Sequence, residues 1–125
     1  MPIDATLPYD EGNIFARILR GEIPCRKVHE DEHALAFHDI TPAAPVHVLV
    51  IPKGRYVSWD DFSANAPEAE IAGFVRAVGH VARDLGLTAP GYRLLANTGG
   101  HGGQEVPHLH VHLFGGQPLG PMLAR

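Results

Sequence analysis

Apolar residues recur along this chain with two different periods, and each change of period marks a new element. Near the start, Ile14, Phe15, Ile18 and Leu19 share one side of a 3.6-residue repeat, which Asn13 can cap and Gly21 stops, so a short helix is expected. The pattern then becomes extended. Residues 25–30, 34–38 and 46–52 read as β segments, and the proline-rich Thr-Pro-Ala-Ala-Pro at 41–45 turns the second into the third, favouring antiparallel pairing. Residues 58–62 can form a single helical turn. Pro67 suits the first position of a helix, and Ile71, Phe74, Val75, Val78, Val81, Ala82 and Leu85 return at helical spacing until Gly86, which predicts the longest helix and its buried face. Residues 92–96 form a further strand, and 108–116 alternate so regularly that a last strand closes the sheet. The sum is an α+β domain: a five-stranded antiparallel sheet with one long and one short helix, the long helix on one face and the other face free for a site. Residues 1–12, rich in Pro, Asp and Gly, read as a loosely held arm, 13–116 as the domain, and 117–125 as a tail.

Composition narrows the partners. A chain of 125 residues with 45% hydrophobic content supports one core. A net charge of −4 lacks the basic footprint of nucleic-acid binding, so no nucleic acid is expected as a partner. The first residues have neither a basic region nor a long apolar run, and no later stretch reaches the length of a membrane span, so a cytoplasmic protein with no membrane partner is expected. The single Cys25 fits a reducing compartment and is assigned no chemistry.

The candidate chemistry lies in the last strand. His-Leu-His-Val-His at 108–112 places His108, His110 and His112 on one side of an extended chain and Leu109, Val111 and Leu113 on the other. Three imidazoles in a row suit either a metal or phosphate and proton chemistry. At ~3.3 Å per residue the outer two Cα atoms stand roughly 13 Å apart, too far for three rings to share one Zn²⁺ comfortably, although neighbouring pairs could. Just before the triplet, residues 97–107 contain four glycines, which let backbone N–H groups converge on an anion. A phosphate cradle beside a row of histidines is the stronger reading, and the middle imidazole, neutral in useful amount near its ordinary pKa of ~6.5, is the sensible attacker.

Residues 97–116 resemble the signature of the histidine-triad (HIT) superfamily. Two further blocks agree: residues 36–53, Ala-Phe-His-Asp-Ile-Thr-Pro-Ala-Ala-Pro-Val-His-Val-Leu-Val-Ile-Pro-Lys, resemble the nucleotide-binding strand pair of its Hint branch, and residues 13–24 resemble its opening helix. The resemblance implies a purine nucleoside phosphoramidase of the bacterial type. By this resemblance His110 is the nucleophile that takes the nucleotidyl group, His112 donates to a phosphate oxygen, and His108 buttresses the nucleophile through its backbone carbonyl. His47 matches a histidine near the triad. Asn97 is expected at the phosphate or leaving group, and Gly103, Gln104 and Glu105 to approach the phosphate through their N–H groups. Glu105 stands where the eukaryotic pattern has Ser and Pro107 where it has an aromatic residue, so a repelled carboxylate must turn aside or carry a proton. Asp39, flanked by His38 and Ile40, matches the ribose ligand, and Ile14, Phe15, Ile18, Phe37 and Leu49 match the walls of the base slot. The Cys-x-x-Cys zinc pair of some relatives is replaced by Asn13 and Ala16, so no metal and no cofactor is expected. A homodimer whose two sheets join into a continuous larger sheet is implied as well. The alternatives are a dinucleoside polyphosphate hydrolase and a nucleotide-binding sensor or interaction module.

Overall fold

A computed structural model describes residues 3–124. Five strands, β1 (Lys27–Glu30), β2 (Ala34–His38), β3 (Val46–Pro52), β4 (Arg93–Leu95) and β5 (Val111–Gly115), form one antiparallel sheet in the order β1-β2-β3-β5-β4. The sheet is the one expected. Among the described residues four helical segments accompany it rather than two: α1 (Ile14–Leu19), α2 (Trp59–Asn65), α3 (Glu68–Asp84) and α4 (Gly99–Gly102).

Each helix has a local cause. Asn13 caps α1 by accepting from the Ala16 N–H at 2.9 Å. The segment at 58 grows to two turns because Ser58 accepts from Asp61 N–H while the Asp61 carboxylate reaches back to Val57 N–H, satisfying two donors at once. Pro67 is the N-cap of α3, one place earlier than expected. In the glycine run, Gly99 and Gly103 take φ of +70° and +78°, conformations that disfavour any residue with a Cβ, and bracket the single turn of α4.

Burial follows the strand period. Val48 and Val50 of β3 and Leu109, Val111 and Leu113 face α3 and pack with Phe74, Ala77, Val78, Val81 and Ala82. The buried face of α3 differs from expectation at two places: Val75 is 55% exposed, and Ala77 takes its place against the sheet. The opposite face is not left free. Phe15 of α1 closes over Leu35, Phe37, Leu49 and Ile51 as a second, smaller core, with Ile18 packed against it.

The last strand is shorter than its alternation implies. Beyond the pair Val50–Val111 the register would set Ile51 opposite His110 and Pro52 opposite Leu109, and Pro52 has no N–H to give. Residues 108–110 therefore leave the ladder while keeping their alternation, and Leu109 N–H bonds to Tyr56 O at 2.8 Å instead. Only His112 of the three histidines lies within β5.

Candidate active site

The three histidines are held by hydrogen bonds that determine which ring nitrogen carries the proton. His108 Nε2 lies 2.9 Å from the carbonyl of Pro52, which can only accept, so the proton is on Nε2. His110 Nδ1 lies 2.7 Å from the carbonyl of His108 and donates to it. In the neutral ring this leaves the lone pair on Nε2 of His110. On the other side, Ala43 N–H donates to His47 Nδ1 at 3.0 Å, so His47 carries its proton on Nε2 and gives it to His112 Nδ1 at 2.9 Å. His112 in turn holds a proton on Nε2. The result is a nucleophilic lone pair on the middle ring beside a donor on the third, their centroids 5.1 Å apart.

The expectation of an open face fails for two of the rings. His108 is fully buried and His110 is 5% exposed, because α1 covers that end of the sheet and Phe15 meets the His110 ring edge-on at 5.0 Å. Burial disfavours the imidazolium and lowers all four pKa values: His108 and His112 to about 4, His110 and His47 downward. The carboxylates of Glu105 and Asp39 oppose this at His110, and Asp39 opposes it at His47. Neutral, nucleophilic imidazole thus persists to more acidic pH than in a free histidine.

These shifts have a consequence for stability. In the unfolded chain the rings bind protons below about pH 6.5, whereas folded His108 and His112 resist until about pH 4. Stability is full above pH 6.5 and is lost as pH falls through that window, at up to about 1.4 kcal/mol per pH unit for His108 and less for half-buried His112, which water screens. Urea midpoints measured from pH 7 to 4.5 should therefore decline; a flat series would contradict the neutral, buried rings.

The remaining expected residues divide. Phe15, Phe37 and Leu49 stand together as a buried wall, and Ile18 joins them. Ile14 is half-exposed and Ile40 is 95% exposed, so both lie outside that wall. Asp39 accepts from Thr41 N–H and approaches His47 Nε2 at 3.5 Å, beside the triad. His38 pairs with Val48 and so shares the face of α3, opposite the rings. Asn97 lies two residues beyond β4, half-buried, with Gly102 packed close to its backbone. The N–H groups of Gly103 and Gln104 are not available to an anion, since they bond to Gly100 O and Gly99 O within the loop; Glu105 N–H has no such partner among the described residues. Gln104 acts through its side chain instead. Its amide is buried, accepting from Gly99 N–H and donating to Val57 O and Val106 O, which ties the glycine loop to the start of α2.

Asp39, His47 and His112 bring three ligand-type atoms within 4.8 Å of one another, a set of the right chemistry for a divalent ion. The hydrogen bonds order them differently. Because Ala43 N–H occupies His47 Nδ1, the Nε2 that would face the ion carries a proton, and coordination would require breaking that bond.

Comparison with known proteins agrees with this geometry. The HIT domain family matches residues 20–119. An uncharacterised 13.2 kDa HIT-like protein of Azospirillum brasilense is 68% identical over 117 residues, 94% of this chain and 96% of that one. The purine nucleoside phosphoramidase of Escherichia coli K12 is 46% identical over 114 residues, 91% and 95% of the two chains. Among solved structures, a HIT family hydrolase from Clostridium thermocellum superposes with a TM-score of 0.82 at 41% identity, covering 92% of this chain and 99% of that one. A histidine triad protein from Clostridium difficile gives 0.78 at 40%, covering 88% and 95%.

Proposed function

The chain belongs to the HIT family, and we propose that within it this protein is a hydrolase that cleaves the P–N bond of purine nucleoside 5′-phosphoramidates through a covalent nucleotidyl-histidine. The observation that carries this reading is the bond from His110 Nδ1–H to the His108 carbonyl, which leaves Nε2 free to attack. Similarity to the E. coli phosphoramidase supports the choice of substrate class.

In the proposed reaction His110 Nε2 attacks the α-phosphorus, the P–N bond breaks, and the nitrogen departs as an amine after receiving a proton. The new N–P bond makes the ring an imidazolium, and its Nδ1–H bond to the His108 carbonyl becomes charge-assisted. His112 Nε2–H donates to a non-bridging oxygen, with His47 holding His112 in that tautomer. Water then displaces the histidine, releasing the nucleoside monophosphate and returning a neutral ring. Glu105 is exposed and close enough to influence His110, and we assign it the proton that goes to the amine and is regained from water. Asp39 receives the ribose hydroxyls, and Phe15, Ile18, Phe37 and Leu49 hold the base, with Ile14 and Ile40 at the rim. Asn97 and the free Glu105 N–H face the phosphate.

The leaving group discriminates this reading from cleavage of dinucleoside polyphosphates. A polyphosphate leaves as an anion and needs cations to receive it, yet residues 97–124 contain no Lys or Arg. The kcat/KM for an adenosine phosphoramidate should exceed that for a dinucleoside tetraphosphate by at least about a hundredfold, or ~2.7 kcal/mol. Comparable values on one preparation would overturn the proposal.

We also assign a homodimer. β4 is an edge strand, and Val75 of α3, Tyr92, Leu94 of β4 and Trp59 are each between 41% and 55% exposed around one apolar groove. A second copy pairing there would extend the sheet and cover those side chains, giving twice the chain mass by light scattering. A cytoplasmic location belongs to the same reading; no helix among the described residues is long and apolar enough to cross a membrane.

A further inference from the structure

Residues 9–11 of the arm before α1 are held in place by specific contacts. Glu11 O accepts from Arg20 Nη1 at 2.8 Å, the Glu11 carboxylate pairs with Arg55, and Asp10 O accepts from Asn13 Nδ2 at 2.7 Å. These contacts fix Tyr9 from α1 and from the segment after β3. Its hydroxyl lies 2.6 Å from His108 Nδ1, and the two rings meet edge-to-face with centroids 5.5 Å apart.

The direction of this bond follows from the other side of the ring. Pro52 O holds the His108 proton on Nε2, so Nδ1 offers a lone pair and the tyrosine must donate. Both nitrogens of a fully buried imidazole are thereby satisfied. Burial also raises the Tyr9 pKa, so the hydroxyl keeps the proton it gives.

We propose that Tyr9 is a positioning residue for the histidine nucleophile: its hydroxyl fixes the His108 ring, and with it the His108 carbonyl that holds His110 Nδ1–H. The inference rests on the proposed covalent reaction for its effect on rate, but not for its effect on the rings. Without the hydroxyl, a buried lone pair has no donor and His108 must re-seat. Its carbonyl moves with it. The bond most affected is the one that strengthens as His110 becomes an imidazolium, so the loss falls on the transition state rather than on substrate binding.

Tyr9→Phe keeps the ring and its edge contact and removes only the donor. Expected are a roughly tenfold fall in kcat for an adenosine phosphoramidate, with KM within about twofold, and a ¹⁵N shift of His108 Nδ1 toward that of a ring nitrogen with no hydrogen bond. Incorporating 3-fluorotyrosine at position 9 strengthens the donor without changing the fold and should move the same signal the other way. Unmoved His108 and His110 signals in both proteins, or a kcat within twofold of wild type in Tyr9→Phe, would overturn the proposal. The ring signals are read without substrate. A wild-type protein that cleaves no phosphoramidate would therefore remove the proposed function, while the ring signals would still decide the place of Tyr9.

Discussion

His110→Ala is expected to lower turnover of an adenosine phosphoramidate by on the order of 10³-fold or more, because it removes the only step that makes a covalent intermediate possible. AMP binding should persist, since the aromatic and aliphatic wall of Phe15, Phe37 and Leu49 does not depend on the imidazole. The ring is 5% exposed and packs on Phe15, so some stability should be lost along with it, and the melting temperature is the control. Turnover within tenfold of wild type in a folded, AMP-binding His110→Ala protein would remove this ring from the nucleophile's place.

The second large effect is on folding. Leu113 is fully buried against Val48 and the face of α3, two residues along from Val111 and one from His112. Leu113→Asp places a carboxylate there with no partner, at a cost of several kcal/mol that is comparable with the whole stability of a domain this size. An unfolded or insoluble chain is expected, read by circular dichroism. A soluble Leu113→Asp protein with a melting temperature near that of wild type would mean that the strand presents its other face to the core.

The same strand shows what was legible in the sequence and what was not. Alternation of Leu109, Val111 and Leu113 with the histidines survives in the structure because side-chain direction is a local property of extended chain. Burial of His108 and His110 is not local: it depends on α1 and the arm folding back over the sheet, and Tyr9 lies 99 residues from the ring it touches. No window of sequence carries that contact. On α3, hydropathy favoured Val75 over Ala77, yet small Ala77 faces the sheet and Val75 lies on the groove beside the edge strand. Position around the helix outweighed side-chain size.

Two residues in the matched motifs moved for reasons of register and bonding. His38 sits next to Asp39 in the sequence, but it is the last residue of β2, and its pairing with Val48 turns it to the face away from the triad, while Asp39 lies beyond the strand. The resemblance assigns Gln104 a role through its N–H, but that N–H closes α4, and its buried side-chain amide holds the glycine loop to the start of α2. Gln104 directly follows the glycine run, and once such an amide is buried both of its atoms need partners, which makes a polar side chain at that place a signal for a loop tie.

The most direct measurement of the central claim is mass spectrometry on wild-type protein mixed with an adenosine phosphoramidate and quenched within the first turnover. One nucleotidyl group, N-linked to His110 and lost on further reaction with water, is the expected result. A group on any other residue, or turnover that never passes through a labelled protein, would contradict it.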